Sequence, residues 1–467
     1  MAETQTLDYS LVGETGAQAV DKGLASATWY NTPIPRDQFR ELLTRKNYPA
    51  VRDTILWFSL LFGTGHWAYA WWGSWWVVIP FALYGVLYAS SSDSRWHESS
   101  HGTAFKTDWM NNALYEIASF MVFRESTPWR WSHTRHHSDT IIVGRDPEIA
   151  VPRPVDLWGV FLAFFAIRSA RNELREILLH CVGKLTPEEK TYIPECEHNK
   201  VFLKARIYIL IYATVIGSAI YYQSILPLMY IGLPTLYGSW LMVVFGLTQH
   251  AGLAENVLDH RQNCRTVYMN PIFRYLYWNM NYHVEHHMFP LIPYHALPKL
   301  HAQVLSYMPD PYTGLWQTYR EIIPALLKQA KDPTYFVERK LPTPSISSTA
   351  PAPTVVSSKI ALEDGWIEVC RVDDLAQEDM LQFDHGENMY AIYRTKEGEF
   401  YASDALCTHG RACLPEGLLK GNIVECPKHN GRFDIRDGTP QRAPIRVPLK
   451  TYSVKVENET VLLNLSP

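Results

Sequence analysis

The distribution of apolar and charged residues divides the chain into segments of very different character. Residues 54–92 and 207–254 contain no Asp, Glu, Lys or Arg and are rich in aromatic and aliphatic side chains. Because one transmembrane helix needs about 20 apolar residues, each run is long enough for two helices joined by a short turn. We place these turns at Trp71–Trp76 (WWGSWW) and Tyr221–Pro227 (YYQSILP). The pattern therefore predicts four membrane spans arranged as two hairpins.

A third apolar run, Leu157–Ile167, is too short to cross a bilayer and predicts an interfacial or buried helix. Lys and Arg occur in the N-terminal arm, in residues 93–206 and after residue 254, but not in the two charge-free runs. Positive charge tends to stay in the cytoplasm, which places these regions there. The first 50 residues are polar and show no secretory signal. We expect an integral membrane protein, of a bacterial inner membrane, with its polar regions on the cytoplasmic side.

The C-terminal part of the chain follows a different pattern. Residues 341–358 (LPTPSISSTAPAPTVVSS) are rich in Pro, Ser and Thr and carry no charge, which is typical of a linker. After it, short segments such as WIEVCRV, MYAIYRT, EFYASD, TYSVKVEN and TVLLNL alternate with Gly, Asp and Asn, which predicts strands and turns. We therefore expect an N-terminal arm (1–52), an all-α membrane domain with a cytoplasmic helical cap (53–340), a linker (341–358) and a small all-β domain (359–467).

Composition adds three constraints. The net charge of −4 and the lack of a long basic run give no reason to expect nucleic acid as a partner. Aromatic residues make up 13% of the chain, with 16 Trp and 27 Tyr, as in proteins with an aromatic belt at the membrane interface. The seven cysteines fit a reducing compartment. Nothing in the sequence indicates an oligomeric state.

Histidine is concentrated in three clusters, HESSH, HTRHH and HVEHH. The first has the spacing i, i+4 and the other two have the spacing i, i+3, i+4, so each cluster lies on one face of a helix. The eight clustered residues are His97, His101, His133, His136, His137, His283, His286 and His287. The first two clusters follow the second predicted span and the third follows the fourth span. All three can therefore meet at the same membrane face.

Imidazole is the most common metal ligand in proteins, and so many imidazoles suit two ions rather than one. We expect His250, at the end of the fourth predicted span, to be the ninth ligand. Ligating histidines usually donate their second N–H to a carboxylate or a carbonyl. The candidates for this role are Glu98, Asp139, Asp146, Glu255 and Glu285. The other histidines of the membrane domain are interpreted as non-ligands: His66, His180, His198, His260, His295 and His301.

The order HxxxH, HxxHH, HxxHH, with membrane hairpins between the boxes, resembles the integral-membrane fatty acid desaturase and alkane hydroxylase superfamily over residues 50–310. QHAGL resembles the alkane monooxygenases, and HHMFPLIPYHALPKLH is similar to desaturases. TIIVGRDPEIAVPRP resembles the rhizopine-catabolism oxygenase subgroup, whose named member is associated with attack on a methylated inositol amine. The resemblance implies two non-haem irons that use O₂ to oxidise an unactivated C–H bond.

Two further motifs lie in the predicted β domain. CTHG and CPKHNGRFD contain Cys407, His409, Cys426 and His429. Two thiolates and two imidazoles are the ligands of a Rieske [2Fe–2S] cluster, with both cysteines on one iron and both histidines on the other. A zinc ion could use the same four side chains. The flanking sequence resembles bacterial Rieske ferredoxins over nearly all of 359–467.

That resemblance also bears on the type of ferredoxin. High-potential Rieske proteins carry a second cysteine in each ligand loop, and the two cysteines form a disulfide. Here Cys413 is present, but Lys428 stands at the matching place in the second loop. The resemblance therefore implies a ferredoxin of lower potential that supplies electrons, in which Cys413 is a small buried residue.

The leading hypothesis is a membrane di-iron monooxygenase that hydroxylates a C–H bond, including oxidative demethylation, with electrons from its own ferredoxin domain. The substrate is expected to be a hydrophobic or methylated small molecule. The chain has no dinucleotide or flavin signature, so we expect a separate NAD(P)H-dependent reductase as a partner. An acyl desaturase with the same electron donor is the alternative. A third hypothesis is a membrane electron-transfer or metal protein without oxygenase activity.

Overall fold

A computed structural model describes residues 8–25, 27–342, 355–357 and 365–465. Most of the predicted linker, residues 343–354 and 358, lies outside the described residues. The described chain forms two compact units. The first, helical unit contains the chain up to Tyr30, Arg45–His287 and Pro293–Pro342. The second, β-rich unit contains Asn31–Thr44, Met288–Ile292 and the described part of Thr343–Pro467, so it includes two segments that the sequence assigned to the arm and the membrane domain.

The described residues form eighteen α-helices, and all but α2 belong wholly or almost wholly to the helical unit. They are α1 (Glu14–Asp21), α2 (Arg36–Leu42), α3 (Asn47–Ala70), α4 (Val78–Gly85), α5 (Ser91–His101), α6 (Asp108–Met121), α7 (Ser126–Ser138), α8 (Leu157–Ala163), α9 (Ile167–Cys181), α10 (His198–Tyr221), α11 (Leu226–Tyr230), α12 (Leu233–Gly238), α13 (Trp240–His250), α14 (His260–Asn263), α15 (Pro271–Leu276), α16 (His283–Met288), α17 (Leu297–Val304) and α18 (Leu315–Gln329).

The first charge-free run forms a helical hairpin at the predicted turn. The turn after α3 is closed by the Ser74 N–H, which donates to the Trp71 carbonyl at 3.0 Å. A continuous helical segment, Trp75–His101, follows. Within it, Val86–Ser90 is π-helical, a distortion that is common near functional sites. It lies directly before α5, the polar end of this segment that carries the first histidine cluster.

The second charge-free run is less regular than predicted. α10 ends at Tyr221, in the predicted turn, but the rest of the run forms three short helices instead of one. Pro227 and Pro234 are the second residues of α11 and α12, and Gly232 between them has a φ of +98°, which interrupts the helix. Among the described residues, Trp75–His101 and Glu195–Tyr221 are long and apolar enough to cross a membrane. The fold is therefore helical as predicted, but the helices do not confirm four spans.

The third apolar run forms α8 and the start of α9. No side chain of α8 is buried, and Trp158 and Phe161 are 60% and 50% exposed. The alternative of a buried helix is therefore wrong. The exposed apolar surface instead fits the alternative of an interfacial helix.

The β-rich unit has eleven described strands: β1 (Val355–Ser357), β2 (Trp366–Arg371), β3 (Asp379–His385), β4 (Asn388–Arg394), β5 (Phe400–Asp404), β6 (Leu418–Lys420), β7 (Ile423–Glu425), β8 (Arg432–Asp434), β9 (Pro440–Arg442), β10 (Thr451–Glu457) and β11 (Thr460–Asn464). One sheet has the order β1-β3-β4-β5-β10-β11-β2 and the other β6-β7-β8-β9. β1 pairs with β3 in parallel, and the other pairs are antiparallel. This confirms the predicted all-β domain. β6–β9 have three residues each, too few to show a clear alternation in the sequence.

Candidate metal centres

Four helices of the helical unit carry the nine histidines that the sequence singled out. α5 and α7 carry the first two clusters, α13 ends at His250, and α16 consists largely of the third cluster. The eight clustered histidines are at most 7% exposed, and His250 is half-buried. The structure therefore brings together residues that lie as much as 190 positions apart in the sequence.

The ring nitrogens converge in close pairs. The Nε2 atoms of His97 and His286 lie 2.7 Å apart, and those of His133 and His101 lie 3.1 Å apart. Around the third cluster, the Nε2 atom of His283 lies 3.0 Å from the Nε2 atoms of both His250 and His287. Two imidazoles at a right angle on one ion, with bonds of about 2.1 Å, would place their nitrogens about 3.0 Å apart. The pairs thus have the spacing of neighbouring ligands on a metal.

These nitrogens form two groups. Five ligand atoms lie within 4.8 Å of one another and belong to His97, His101, His133, His137 and His286. A second group within the same limit contains His136, His250 and His287. His283 joins this second group through its two 3.0 Å contacts. The arrangement of five and four imidazoles fits two metal ions.

The protonation of these side chains also fits metal binding. Burial, together with the neighbouring imidazoles, holds the pKa of His133, His137 and His286 well below its ordinary value. These rings are therefore neutral at pH 7, the form that binds a metal. Among the described residues, neither ring nitrogen of His137 has a hydrogen-bond partner, although this side chain is buried. A buried imidazole without partners is unfavourable unless its nitrogen binds an ion.

The outer ring nitrogens of four histidines contact oxygen atoms. The Nδ1 atom of His136 lies 2.8 Å from Asp146 Oδ2, and that of His133 lies 3.0 Å from Glu148 Oε2. The Nδ1 atom of His250 donates to the Asn263 carbonyl at 2.7 Å. A fourth contact, of 3.3 Å, joins His287 Nδ1 to Thr140 Oγ1. These partners fix the ring orientations so that Nε2 points inward.

Sequence reasoning found Asp146 but missed Glu148 and Asn263. Glu148 follows Asp146 by two residues, and the turn Asp-Pro-Glu brings both carboxylates beside α7, because the Glu148 N–H donates to Asp146 Oδ1 at 2.8 Å. Asn263 acts through its main chain, which leaves no signal in the sequence.

Burial lowers the pKa of His136, but the adjacent Asp146 carboxylate outweighs this effect and raises it.

The other four carboxylate candidates have partners of their own, so their predicted contact with the ligands is corrected. Glu98 accepts from Thr103 and from the Tyr294 N–H, and Asp139 pairs with Arg135 and Arg145. Glu255 accepts from Tyr9 and pairs with Arg153, whereas Glu285 contacts His301 and Thr266. For Glu98 and Glu285, proximity in sequence misled because a helical residue next to a ligand points to a different side of the helix.

The histidines interpreted as non-ligands include three that are buried. His180 is clamped between Glu125 and Glu189, and His301 pairs with Glu285. His260 lies nearest to the cluster, with its ring centroid 5.2 Å from that of His287, and its other face stacks on Trp29 at 4.3 Å. A group within 4.8 Å contains ligand atoms of His260, Cys264 and His287. His260 thus borders the site, whereas His180 and His301 have carboxylate partners.

In the β-rich unit, the two cysteine–histidine motifs form neighbouring loops. Cys407 and Cys426 are each 1% exposed. The Nδ1 atoms of His409 and His429 lie 3.0 Å apart, the spacing of two ligands on one iron. Each loop is closed by main-chain hydrogen bonds, from Arg411 N–H to the Cys407 carbonyl at 2.9 Å and from Cys426 N–H to the Gly431 carbonyl at 2.8 Å. Two buried thiols with two adjacent imidazoles fit a Rieske cluster.

The edges of this site differ in exposure. His409 is exposed, whereas His429 is buried. Gly410 lies between the loops, where a Cβ atom would come within 3.2 Å of the His429 ring. All seven cysteines are free thiols, and the half-buried Cys413 donates to Gln382 Oε1 at 3.2 Å.

Both units match known families. Residues 73–319, more than half of the chain, match the family model described as fatty acid desaturase. The chain belongs to the fatty acid desaturase family. Residues 365–453 match the Rieske [2Fe-2S] domain. The predicted combination of the two is therefore confirmed.

Several ferredoxins are similar to the C-terminal domain. The chain is 44% identical over 101 residues to the ferredoxin component of a naphthalene 1,2-dioxygenase system of Pseudomonas putida, which covers 22% of this chain and 96% of that protein. It is 38% identical over 102 residues to the biphenyl dioxygenase ferredoxin subunit of Pseudomonas sp. (strain KKS102), covering 22% and 93%. A solved ferredoxin of Sphingomonas yanoikuyae B1 is 34% identical, with a TM-score of 0.20, and covers 21% of this chain and 97% of its own.

The desaturase family and the Rieske domain together identify the chain as an O₂-dependent oxidoreductase. Its cofactors are two non-haem irons and one Rieske [2Fe–2S] cluster, with O₂ as cosubstrate. The zinc alternative for the cysteine–histidine loops and the hypothesis of a protein without oxidase chemistry are thereby set aside. The desaturase family is membrane-associated, which agrees with the apolar helices of the helical unit.

Proposed function

We propose that this chain is a membrane-bound di-iron monooxygenase that inserts one oxygen atom into a C–H bond and draws its electrons from its fused ferredoxin domain. The observation that carries the proposal is the presence of both metal-binding arrangements in one polypeptide: nine converging imidazoles in the helical unit and a ferredoxin loop pair in the β-rich unit. A redox donor fused to a metal site indicates that the metal changes oxidation state during turnover, which zinc does not do.

The geometry supports an assignment of ligands to the two irons. We assign the first iron to the group of five and the second iron to His136, His283 and the two histidines that contact His283. In full, the first set is His97, His101, His133, His137 and His286, and the second is His136, His250, His283 and His287. The irons supply the activation of O₂ when bound.

The protein's part in the reaction is to hold these ligands rigidly. Asp146 and Glu148 accept from the outer nitrogens of His136 and His133, which fixes the orientation of both rings with the inner nitrogen facing the metal site. Ser132 donates to Glu148 at 2.8 Å, and the Ile141 N–H donates to Asp146 at 2.7 Å, so the two carboxylates are themselves fixed. The site is buried, which excludes water from a reactive centre.

Electron supply is the role of the β-rich unit. Hydroxylation and desaturation each consume two external electrons per O₂, and a Rieske cluster passes one electron at a time. Fusion in one chain raises the effective concentration of the donor at the acceptor. The exposed His409 gives the cluster an edge that a partner can approach. We propose a separate NAD(P)H-dependent reductase as that partner.

We also propose that the helical unit lies in the membrane as two hairpins, with both metal sites on the cytoplasmic side of a bacterial inner membrane. Support comes from the two apolar segments Trp75–His101 and Glu195–Tyr221. The turn at 71–76 exposes four tryptophans, including Trp75 at 94% and Trp76 at 66%. Exposed tryptophan at a hairpin turn is typical of the membrane–water interface.

A desaturase is the second candidate, and the family match favours it. That reaction would remove two hydrogens from neighbouring carbons, and both oxygen atoms would leave as water. The outcome depends on how the substrate carbons lie relative to the irons. The histidine arrangement is the same for both reactions and does not decide between them.

Product analysis with ¹⁸O₂ separates the two candidates. Cells that express the protein are fed n-alkanes, fatty acids and methylated amines, and the products are examined by mass spectrometry. A labelled hydroxyl group, or labelled formaldehyde from a methyl group, supports the monooxygenase. An unlabelled product two hydrogens lighter than its substrate would instead identify a desaturase. Cells that express the His286→Ala variant are the control for endogenous enzymes.

A further inference from the structure

The β-rich unit includes a short piece of the N-terminal arm. Asn31–Thr44 lies in this unit, whereas the chain on either side of it belongs to the helical unit. Its helix, α2, follows Pro33 and Pro35, which restrict the backbone directly before the first turn. Because this piece is far from the β strands in sequence, specific tertiary contacts have to account for its place among them.

α2 presents two positive charges to strand β3. Arg36 and Arg40 are four residues apart and therefore lie on one side of the helix. Arg36 Nε donates to Asp379 Oδ1 at 2.9 Å, and Arg40 pairs with Asp379 Oδ2 at 3.5 Å. The side chain of Asp379 is only 12% exposed. A carboxylate shielded in this way depends on its partners, because their loss leaves a charge without compensation.

The two arginines also donate to main-chain carbonyl groups of the β-rich unit. Arg36 reaches the carbonyl of Gly417 at 3.3 Å, and Arg40 reaches that of Gln377 at 3.4 Å. Gln377 precedes β3, a strand of the larger sheet, and Gly417 directly precedes β6, a strand of the smaller sheet. α2 therefore contacts the edges of both sheets, which makes the contact specific for the folded domain.

The remaining contacts of α2 are apolar. Phe39, Leu42 and Leu43 are 9%, 2% and 1% exposed. The ring of Phe39 packs against the ring of Phe289, with the centroids 5.8 Å apart. Phe289 belongs to Met288–Ile292, the other segment that joins the β-rich unit from outside the C-terminal domain. Apolar burial adds an attraction that salt does not screen, so the ion pairs are not the whole contact.

We propose that Asn31–Thr44 is a clasp that holds the ferredoxin domain to the helical part of the chain independently of the linker. The clasp is covalently joined to the helical unit at both ends, and α3 begins at Asn47, three residues after it. A domain bound to the clasp stays attached even when the linker is cut. The inference rests on the proposed function, because it names the segment that keeps the electron donor with its acceptor.

Cleavage of the linker tests the clasp directly. A specific protease site is inserted between Ala350 and Pro351 in the full-length chain, which carries an N-terminal affinity tag and is purified in detergent with its metal sites loaded. The cut protein is bound to affinity resin and washed, and the Rieske absorbance of the bound and unbound fractions is measured. We expect nearly all of the C-terminal fragment to stay bound. A fragment that washes off freely would overturn the proposal.

Two variants with the same change of charge separate the clasp from other contacts. Asp379→Lys places a positive charge beside Arg36 and Arg40, whereas Glu387→Lys places one in the exposed turn between β3 and β4. We expect Asp379→Lys to lower the retained fraction at least tenfold, because a shielded ion pair becomes a repulsive contact. Glu387→Lys should leave retention unchanged, and both variants should keep the Rieske spectrum. Equal retention in the two variants would contradict the proposal.

A change in α2 keeps the test decisive if Asp379→Lys does not fold. Arg36→Glu combined with Arg40→Glu leaves residues 359–467 unaltered and should release the cut fragment to the same extent. Adding Asp379→Lys to this pair restores opposite charges, and recovery of retention in the triple variant would support the clasp. Full retention in the variant with both arginines changed would overturn it.

Retention is measured without substrate and does not depend on turnover. A retained domain in a chain that forms neither a labelled alcohol nor a desaturated product would refute the proposed function and leave the clasp standing. Turnover by a chain whose cut domain washes off freely would refute the clasp and leave the proposed function standing.

Discussion

The histidine cluster draws its nine ligand candidates from four helices spread over residues 97–287, whereas the cysteine–histidine site takes four from two loops between residues 407 and 429. Eight of the nine are buried, and none of the nine is fully exposed, but His409 of the second site is exposed. The difference matches their tasks. A centre that activates O₂ has to be shielded from water, while a centre that only passes electrons needs an edge that a partner can approach.

The two sites also differ in how their ligands are held. The imidazoles of the helical unit depend on side chains from other helices, such as Asp146 and Glu148. The ferredoxin loops are closed by their own main-chain hydrogen bonds. We therefore expect the first site to be sensitive to changes outside its ligands and the second site to tolerate them.

The largest expected effect is loss of the first iron. His286→Ala removes a side chain that lies 2.7 Å from His97 at Nε2, so turnover should fall below detection while the visible and EPR spectra of the Rieske cluster remain. The iron content should fall below the value of about four atoms per chain that is expected for two irons and one [2Fe–2S] cluster. Unchanged iron content with full turnover would show that His286 is not a ligand.

Removing a ligand of the Rieske cluster should have the opposite effect on the two sites. His409→Ala should abolish the Rieske spectrum and NAD(P)H-driven turnover, because electrons no longer reach the helical unit, while about two irons stay bound. His385→Ala, a histidine of β3 outside both ligand loops, serves as the control and should keep the spectrum. Turnover that survives His409→Ala would show that electrons arrive by another route.

Substitutions of carboxylates near the ligands should have a smaller effect. They compare a partner seen in the structure with one predicted from the sequence. Asp146→Asn weakens the contact with His136, and outer partners of this kind contribute about 10- to 100-fold to metal affinity or activity. Asp139→Asn disturbs only the pairs with Arg135 and Arg145, so iron binding should change less than threefold. Chelator titration of both variants measures the difference. Equal losses of iron affinity in the two variants would show that Asp139 also supports the ligands.

A third kind of histidine sharpens the contrast with the neutral cluster. Burial lowers the pKa of His180, but the hydrogen bond to Glu125 and the ion pair with Glu189 outweigh this effect and raise it to about 10. Because the folded pKa lies above the unfolded value of about 6.5, the stabilisation is complete below pH 6.5 and is lost as the pH rises towards 10. In that window, each pH unit costs at most about 1.4 kcal/mol.

Unfolding measurements at a series of pH values test this expectation. The difference in stability between the wild-type protein and His180→Gln should be largest at pH 6 and should shrink steadily towards pH 10. A constant difference across that range would mean that His180 is neutral in the folded protein, like the histidines of the cluster.

The smallest effect is expected at Cys413. Its thiol donates to Gln382 and forms no disulfide, so Cys413→Ala should leave the spectrum and the potential of the cluster unchanged and alter stability by about 1 kcal/mol. Redox titration of the cluster measures the potential. A clear shift would show that Cys413 acts on the cluster and is not merely a neighbour.

Some elements could be predicted because their signal is local. The hairpin turn at 71–76, the strands around WIEVCRV and TVLLNL, and the histidine and cysteine motifs all follow from residues that lie close together in sequence. The second half of the second charge-free run is divided into three helices by Pro227, Gly232 and Pro234. The uniform apolar character of the run gives no sign of these breaks, although the three residues themselves are visible in the sequence.

The outer partners of the ligands could not be predicted in the same way. Glu98 and Glu285 stand beside ligand candidates in sequence, yet each faces another part of the helical unit. Asn263 contributes a carbonyl group, which every residue has. Contacts of this kind depend on which helices come together, and spacing along one helix does not report them.

By itself, the sequence determined which residue types were available and at what spacing: three histidine clusters on helical faces, two cysteine–histidine loops and two charge-free runs. Those features can be recognised in short segments, because they depend only on the residue types present and on their spacing. Only the tertiary structure decided that the imidazoles converge at about 3 Å and which carboxylates support them. These features require distant segments to meet, and their positions are set by the contacts between helices.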